Sequence, residues 1–315
     1  NNNAALNLSW SAALATGLVE AGIRHVIVSP GSRSTPLTLA CLRHPQLDCE
    51  FVLDERSAAW YALGMAKAGG GTVALLCTSG TAVANWLPAT VEANQSGVPL
   101  LLLSADRPPE LQGWGANQTI DQTHLLASQL RAFHAPGAPC AGADLRWLRQ
   151  LVVRATHESR WPRPGPVQIN LALREPLLPA APEFVFDAVT PRLPAVPIAT
   201  PDAAALAALA ERLQVPGGVI VCGELPAQLG ANPAWAESIV ALGERLACPI
   251  LAEPLSGLRF GAHRKNGLCV RYDHWLRTEA WQAPERQPAW VLRFGAFPVT
   301  RVLQQFLAGA QHHFL

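Results

Sequence analysis

The sequence predicts an α/β fold: two domains, each a mostly parallel sheet flanked by helices. Three observations predict it. Apolar runs such as RHVIVS, TVALLCTS, VPLLLLSAD and PVQINLAL lack the polar alternation of a one-sided sheet, so they read as strands covered on both faces. Between them lie stretches of helical length and composition, and such alternation marks a parallel sheet. Residues 176–201, with seven prolines, then interrupt the pattern with an extended connector, after which it resumes. The first domain is placed at 1–180, the linker at 181–200 and the second domain at 201–315.

Taken in order, Ser9 is placed as the N-cap of a first helix that Gly22 closes. RHVIVS is the first strand, PGSRST a turn, and PLTLACLRH a helix with Pro36 in its first turn. CEFVL is a second strand, which we expect to be buried, followed by the helix SAAWYALGMAKAGG and the strand TVALLCTS. One helix is expected over GTAVANWLPATVEAN, then the strand VPLLLLSAD. After the loop RPPELQGWGANQTIDQ come a short strand near FHAP, a helix from Asp144 to Glu158 and the strand PVQINLAL. In the second domain the expected order is a helix from Asp202, strand GGVIVCGE, helix Asn232–Leu246 and strand PILAE. A long irregular stretch, strand AWVLRFG, helix VTRVLQQFL and the opening of a strand at QHHFL complete it.

Composition narrows the function. The net charge of +1, from 24 basic and 23 acidic residues, leaves no electrostatic footprint for nucleic acid or anionic membrane. No apolar run reaches the length of a membrane span, and NNNAALNLSW has no secretory-signal pattern, so a cytoplasmic location is expected. The seven cysteines are odd in number and show no C-x-x-C, which suits reduced core thiols, and the histidines show no paired metal spacing. No Walker motif and no G-x-G-x-x-G after a strand is present. Only Lys67 and Lys265 are lysines, so nearly all positive charge is the forked guanidinium that grips carboxylates and phosphates.

In the first domain, four loops fall at the carboxyl ends of expected parallel strands, where open α/β sheets bind ligands. They are PGSRST (30–35), DER (54–56), TSGTAVAN (78–85) and ADRPPELQGWGANQTIDQ (105–122). Singly, each is also an ordinary turn, cap or solvated loop. PGSRST could instead cradle an anion, because Gly31 lets backbone approach while Ser32, Arg33 and the helix start offer donors. Glu55 is harder to dismiss. Asp54 suffices to cap the helix, so a second carboxylate between a buried strand and a buried helix costs desolvation unless it binds something.

Together, SPGSRSTPLTLA, DERSAAWYALGMAKA, TSGTAVANWLPA, SADRPPEL and GANQTIDQ resemble the N-terminal part of the MenD family. These are the 2-succinyl-5-enolpyruvyl-6-hydroxy-3-cyclohexene-1-carboxylate synthases, thiamine-diphosphate enzymes of menaquinone biosynthesis. The resemblance covers roughly residues 8 to 175, and less closely 200 to 315, chiefly through LRFGAFPVTRVLQQF. It implies a pyrimidine-binding domain followed by a Rossmann-like central domain that is cut short. It also implies that Glu55 hydrogen-bonds N1′ of the cofactor's aminopyrimidine and so promotes loss of the proton from thiazolium C2. That carbon then decarboxylates 2-oxoglutarate and delivers the remaining four-carbon unit to isochorismate.

By position in the matching motifs, Ser32, Arg33, Arg107, Asn117 and Gln118 would bind substrate carboxylates, and Thr78, Ser79, Gly80 and Thr81 would line the cofactor. Arg301 stands where the family usually has a lysine. The family's Gly-Asp-Gly motif, which holds the diphosphate through Mg2+ or Mn2+, is absent from this sequence. The resemblance therefore implies a third domain outside it, no metal site within it, an inactive fragment, and a homodimer or dimer of dimers in the whole enzyme. Two other readings stand beside this one: an acetolactate-synthase-like thiamine-diphosphate enzyme, and a noncatalytic two-domain α/β binding protein.

Overall fold

Alternate side chains along the apolar strands point to opposite faces, and in the first half of the chain both faces are buried. In the computed structural model, which describes residues 2–69, 71–197, 199–225 and 232–315, the chain divides into two units, Asn1–Pro197 and Ile198–Leu315. Gly70, the last residue of one expected helix, and Ile198 of the connector lie outside the described residues.

The first unit runs α1 (Asn3–Glu20), β1 (His25–Val28), α2 (Thr35–Arg43), β2 (Asp48–Phe51), α3 (Glu55–Gly69) and β3 (Val73–Cys77). It continues with α4 (Thr81–Ala84), α5 (Leu87–Gln95), β4 (Leu100–Asp106), β5 (Ala132–Gly137), α6 (Leu145–Glu158) and β6 (Pro166–Ala172). All its strand pairs are parallel, in the order β2-β1-β3-β4-β6-β5. Val26, Val28, Leu76, Leu101, Leu103, Val167 and Ile169 pack beneath α1, α2 and α6, while Ile27, Leu75, Cys77, Leu100 and Leu102 pack beneath α3, α4 and α5. The fold expected of this half is the fold observed.

Three expectations are corrected. Ser9 is not a cap: the first helix begins at Asn3, and the Ser9 hydroxyl donates to the Leu6 carbonyl inside it. The extra turns are held by a tertiary contact, since the Asn7 amide donates to the Arg174 carbonyl at 2.8 Å. The single helix expected over GTAVANWLPATVEAN is two, because Pro88 has no N–H to offer the preceding turn and the chain breaks at Asn85 and Trp86. The strand before DER is not buried: β2 is an edge strand whose residues are exposed or half-exposed, having a neighbour on one side only. Glu55 thus sits half-buried at a rim, and the desolvation cost assigned to it from sequence is smaller than expected.

Among the described residues the proline-rich stretch has no helix or strand, but residues 177–193 lie along the first unit. Leu177, Phe184, Phe186, Val189 and Leu193 pack against its α1/α2/α6 core, and the Arg192 N–H donates to the Glu20 carbonyl at 2.6 Å.

The second unit contains α7 (Ala203–Arg212), β7 (Val219–Cys222), α8 (Pro233–Arg245), β8 (Ile250–Ala252), β9 (Leu268–Cys269) and the short helices α9 (Tyr272–Trp275) and α10 (Glu279–Gln282). It ends with β10 (Trp290–Phe294), α11 (Arg301–Ala308) and β11 (His312–Phe314). Its parallel sheet has the order β11-β10-β7-β8-β9, again with a core on each face. Asp202 and Asn232 cap their helices, accepting from the backbone N–H groups of Ala205 and Ala234.

Candidate active site

In the first sheet the chain steps from β1 outward to β2 and then back past β1 to β3, so the β1/β3 boundary is the topological switch point where open α/β sheets bind ligands. The four loops singled out in the sequence all leave the carboxyl edge of this sheet. Two of them meet at the boundary itself. A Cβ placed on Gly31 would lie 2.5 Å from Cβ of Thr78, so only glycine lets the loop after β1 touch the loop after β3. The Ser29 hydroxyl donates to the Val52 carbonyl at 2.9 Å and ties in the end of β2.

The Thr78–Gly80 turn is buried and is held from several sides. Gly80 has φ +78°, and a Cβ there would approach Cγ of Gln118 to 2.8 Å. The Gln118 amide donates to the Ser79 carbonyl at 2.8 Å from a residue itself in the left-handed region, φ 55°. The Arg107 guanidinium donates to the Ser79 hydroxyl. From below, Gln122 Oε1 accepts the Gly80 N–H at 2.8 Å. Thr81 is exposed and opens the four-residue α4.

Arg33 is buried. Its Nη1 donates to the Leu173 carbonyl at 2.9 Å, and its Nη2 pairs with Glu175 Oε1 at 2.8 Å. Burial lowers the Arg107 pKa, and the like charge of Arg33 lowers it further, while Asp106 and Glu175 oppose both. Two guanidiniums thus stand near enough to repel, an arrangement that favours an anion between or beside them. Ser32 and Asn117 are exposed in the same set of loops.

The DER stretch separates as the sequence suggested. Asp54 caps α3, accepting the Ser57 N–H at 2.8 Å, and that backbone bond is the main reason its pKa is lowered. Among the described residues, no hydrogen bond or ion pair engages the Glu55 carboxylate. Burial pushes the Cys77 thiol at the end of β3 well up, and the charge of Glu55 adds to that effect.

Sequence reasoning missed the layer beneath these loops. Gln122 Nε2 donates to the Asn170 side-chain oxygen at 2.8 Å and to the Ala105 carbonyl at 3.2 Å; Asn170 donates to Asp106 Oδ2 at 2.8 Å, and Asp106 Oδ1 accepts the Arg107 N–H at 2.7 Å. Ser104 and Gln168 complete the network, and Asp106, whose pKa is raised chiefly by burial, is its buried acid. A signal was available. Ser104 with Asp106, and Gln168 with Asn170, are polar residues two apart in otherwise apolar strands, and β4 and β6 pair Ser104 with Asn170.

Arg301 belongs to the second unit, exposed at the start of α11. The residues before it are pinned by buried Glu253, whose carboxylate accepts from the Thr300 hydroxyl at 2.9 Å, the Val299 N–H at 3.3 Å and the Tyr272 hydroxyl. Burial, reinforced by that last bond, pushes the Tyr272 pKa up to about 12. Among the described residues, no three or more His, Cys, Asp or Glu side chains cluster as a metal site, and no helix is long and apolar enough to cross a membrane.

Residues 8–125 match the family model described as "Thiamine pyrophosphate enzyme, N-terminal TPP binding domain", which places the first unit in the class of cofactor-binding domains from thiamine pyrophosphate enzymes. Full-length comparisons are narrower. The chain is 50% identical over 306 residues to the 2-succinyl-5-enolpyruvyl-6-hydroxy-3-cyclohexene-1-carboxylate synthase of Dechloromonas aromatica, covering 96% of this chain and 56% of that one. It is 45% identical over 313 residues to the synthase of that name from Geobacillus thermodenitrificans, covering 97% and 52%. For the Chloroflexus aurantiacus synthase the identity is 45% over 311 residues, covering 96% and 51%. The chain belongs to this synthase family, as its motifs implied, and spans about half the length of the curated relatives it matches.

Proposed function

We propose that the chain is the pyrimidine-binding domain (1–180), linker (181–200) and central domain (201–315) of a thiamine-diphosphate-dependent enzyme of menaquinone biosynthesis. The reaction is decarboxylation of 2-oxoglutarate and addition of the succinyl-semialdehyde unit to isochorismate, giving 2-succinyl-5-enolpyruvyl-6-hydroxy-3-cyclohexene-1-carboxylate. The observation that carries the reading is the Glu55 carboxylate, left unengaged at the carboxyl edge while its neighbour Asp54 does the capping.

The donor set suits the pyrimidine end of the cofactor. When bound, thiamine diphosphate would supply an acidic carbon for nucleophilic attack and a cationic ring to accept electrons on decarboxylation. Glu55 would hydrogen-bond the ring nitrogen and hold a proton there, and the Thr78–Gly80 turn, which is buried, with Thr81 beside it, would line the ring. Arg33 and Arg107 grip substrate carboxylates, and Ser32, Asn117 and Gln118 add neutral donors; Arg301, in the second unit, is a separate candidate substrate-binding cation. The described residues do not suit Mg2+ or Mn2+, because no carboxylate cluster stands among them, so no step is drawn through the metal. In our reading the diphosphate and metal are held by a further domain of the whole enzyme, a cytoplasmic homodimer or dimer of dimers, and the 315-residue chain alone is inactive.

Glu55→Gln tests this in the whole enzyme. An amide cannot exchange the proton, so turnover falls by roughly 10²–10⁴-fold while circular dichroism and thermal midpoint stay as in the parent. Near-normal turnover would refute the assignment.

A further inference from the structure

Arg33 presents an asymmetry that carboxylate binding alone does not explain. Its side chain is 8% exposed, whereas that of its ion-pair partner Glu175 is 71% exposed. From behind, the Leu173 carbonyl accepts from Nη1 at 2.9 Å and fixes the guanidinium plane; in front, Nη2 meets Glu175 Oε1 at 2.8 Å. The cation is thus built into the fold, while its counter-charge stands in solvent. The two acids that oppose repulsion between Arg33 and Arg107 differ in the same way. Asp106 is buried and committed to Asn170 and to the Arg107 N–H, so it cannot leave. Among the described residues Glu175 makes one side-chain bond, the one to Arg33, and it lies just beyond Ala172, the last residue of β6, at the same sheet edge.

We propose that Glu175 is an internal stand-in for the substrate carboxylate: it occupies the Arg33 fork when no carboxylate ligand is bound and is displaced when one enters. The inference rests on the reading of Arg33 and Arg107 as carboxylate-binding residues. Physically, the stand-in keeps two neighbouring guanidiniums oriented without a ligand, and an acid that stands mostly in solvent is cheap to release once another carboxylate takes its place. It also sets a threshold that any entering anion must clear. A carboxylate that reaches both arginines replaces Glu175 with gain, whereas a small anion that reaches only Arg33 merely exchanges one acceptor for another.

Calorimetry on the 315-residue chain, with 2-oxoglutarate and separately acetate as probes at low ionic strength, tests this. In Glu175→Gln, 2-oxoglutarate binds about two- to fivefold tighter, since the lost competitor is a carboxylate that stands mostly in solvent. Acetate, which displaces the same ion pair, gains by the same factor, so the ratio of the two affinities stays as in wild type. Glu175→Ala, which also removes the residual amide contact, shows the same direction, and Arg33→Met abolishes the difference between Glu175 and Gln. Unchanged or weaker binding in both Glu175 variants, with wild-type binding still sensitive to Arg33→Met, overturns the stand-in role and leaves the carboxylate-binding reading in place. Binding that ignores Arg33→Met and Arg107→Met, or no binding by any of these chains, overturns both. If neither Glu175 variant folds, the residue is a structural anchor and the proposal fails.

Discussion

Replacing Gln122 by Met removes the polar link beneath the Thr78–Gly80 turn while nearly conserving volume, so no cavity contribution enters. Three hydrogen bonds are lost, to the Gly80 N–H (2.8 Å), the Asn170 side chain (2.8 Å) and the Ala105 carbonyl (3.2 Å). They do not count equally. Ala105 still pairs along β4/β6, and the Asn170 oxygen still accepts from Ser104 at 2.6 Å. Gly80 alone is stranded, a buried N–H whose one acceptor among the described residues is Gln122 Oε1. Leaving one buried donor unsatisfied costs about 1–3 kcal/mol, so we expect a loss near ~2 kcal/mol. Hydrogen–deuterium exchange in increasing urea, read on peptides spanning residues 76–84, measures this locally in the first unit without requiring two-state unfolding of the whole chain. Gln122→Glu keeps an acceptor for Gly80 and should protect that amide better than Met does. A Met variant within about 0.5 kcal/mol of wild type, a shift ordinary for surface changes, with Gly80 still protected, would refute the reasoning.

Gly31→Ala forces a Cβ to within 2.5 Å of Thr78 Cβ and 2.6 Å of its Cγ2. Neither atom is the far end of a flexible chain, so overpacking should cost about 1–3 kcal/mol; an unchanged thermal midpoint would contradict the close approach of the two loops. Asp106 provides a pH test. Its folded pKa is raised, mainly by burial, so its contribution to stability is present below the unfolded value of about 3.9 and is lost as pH rises through the folded value. In Asp106→Asn that segment of the stability–pH profile flattens, as measured by urea titrations from pH 4 to 7; an identical slope in both chains would show that Asp106 ionisation is not coupled to folding.

The alternation of apolar strands and helices was legible because burial on both faces of a parallel sheet removes polar residues from whole strands. Asp144, Asp202 and Asn232 were legible as helix starts, and the structure makes each of them the cap: a short polar side chain before a helical run has a backbone N–H to meet. The misreadings came where tertiary contacts override local preference. Asn7 holds an extra helical segment against the chain after β6, and β2 is exposed because it lies at an edge, which strand composition cannot reveal.

The site divides along a similar line. Sequence by itself determined the class of fold, the family, and the loops that carry the candidate chemistry, because residue type and spacing at strand ends are local properties. It also separated Asp54 from Glu55, since one cap suffices for one helix start. Only the tertiary structure decided that Gly31 must be glycine, that Gln122 and Asn170 support the Ser79–Gly80 turn, and that Glu175 faces Arg33 across 142 positions of sequence. Those relations arise when distant strands are laid side by side, and a hydrogen bond between residues far apart in the chain leaves no periodic trace in either one's neighbourhood.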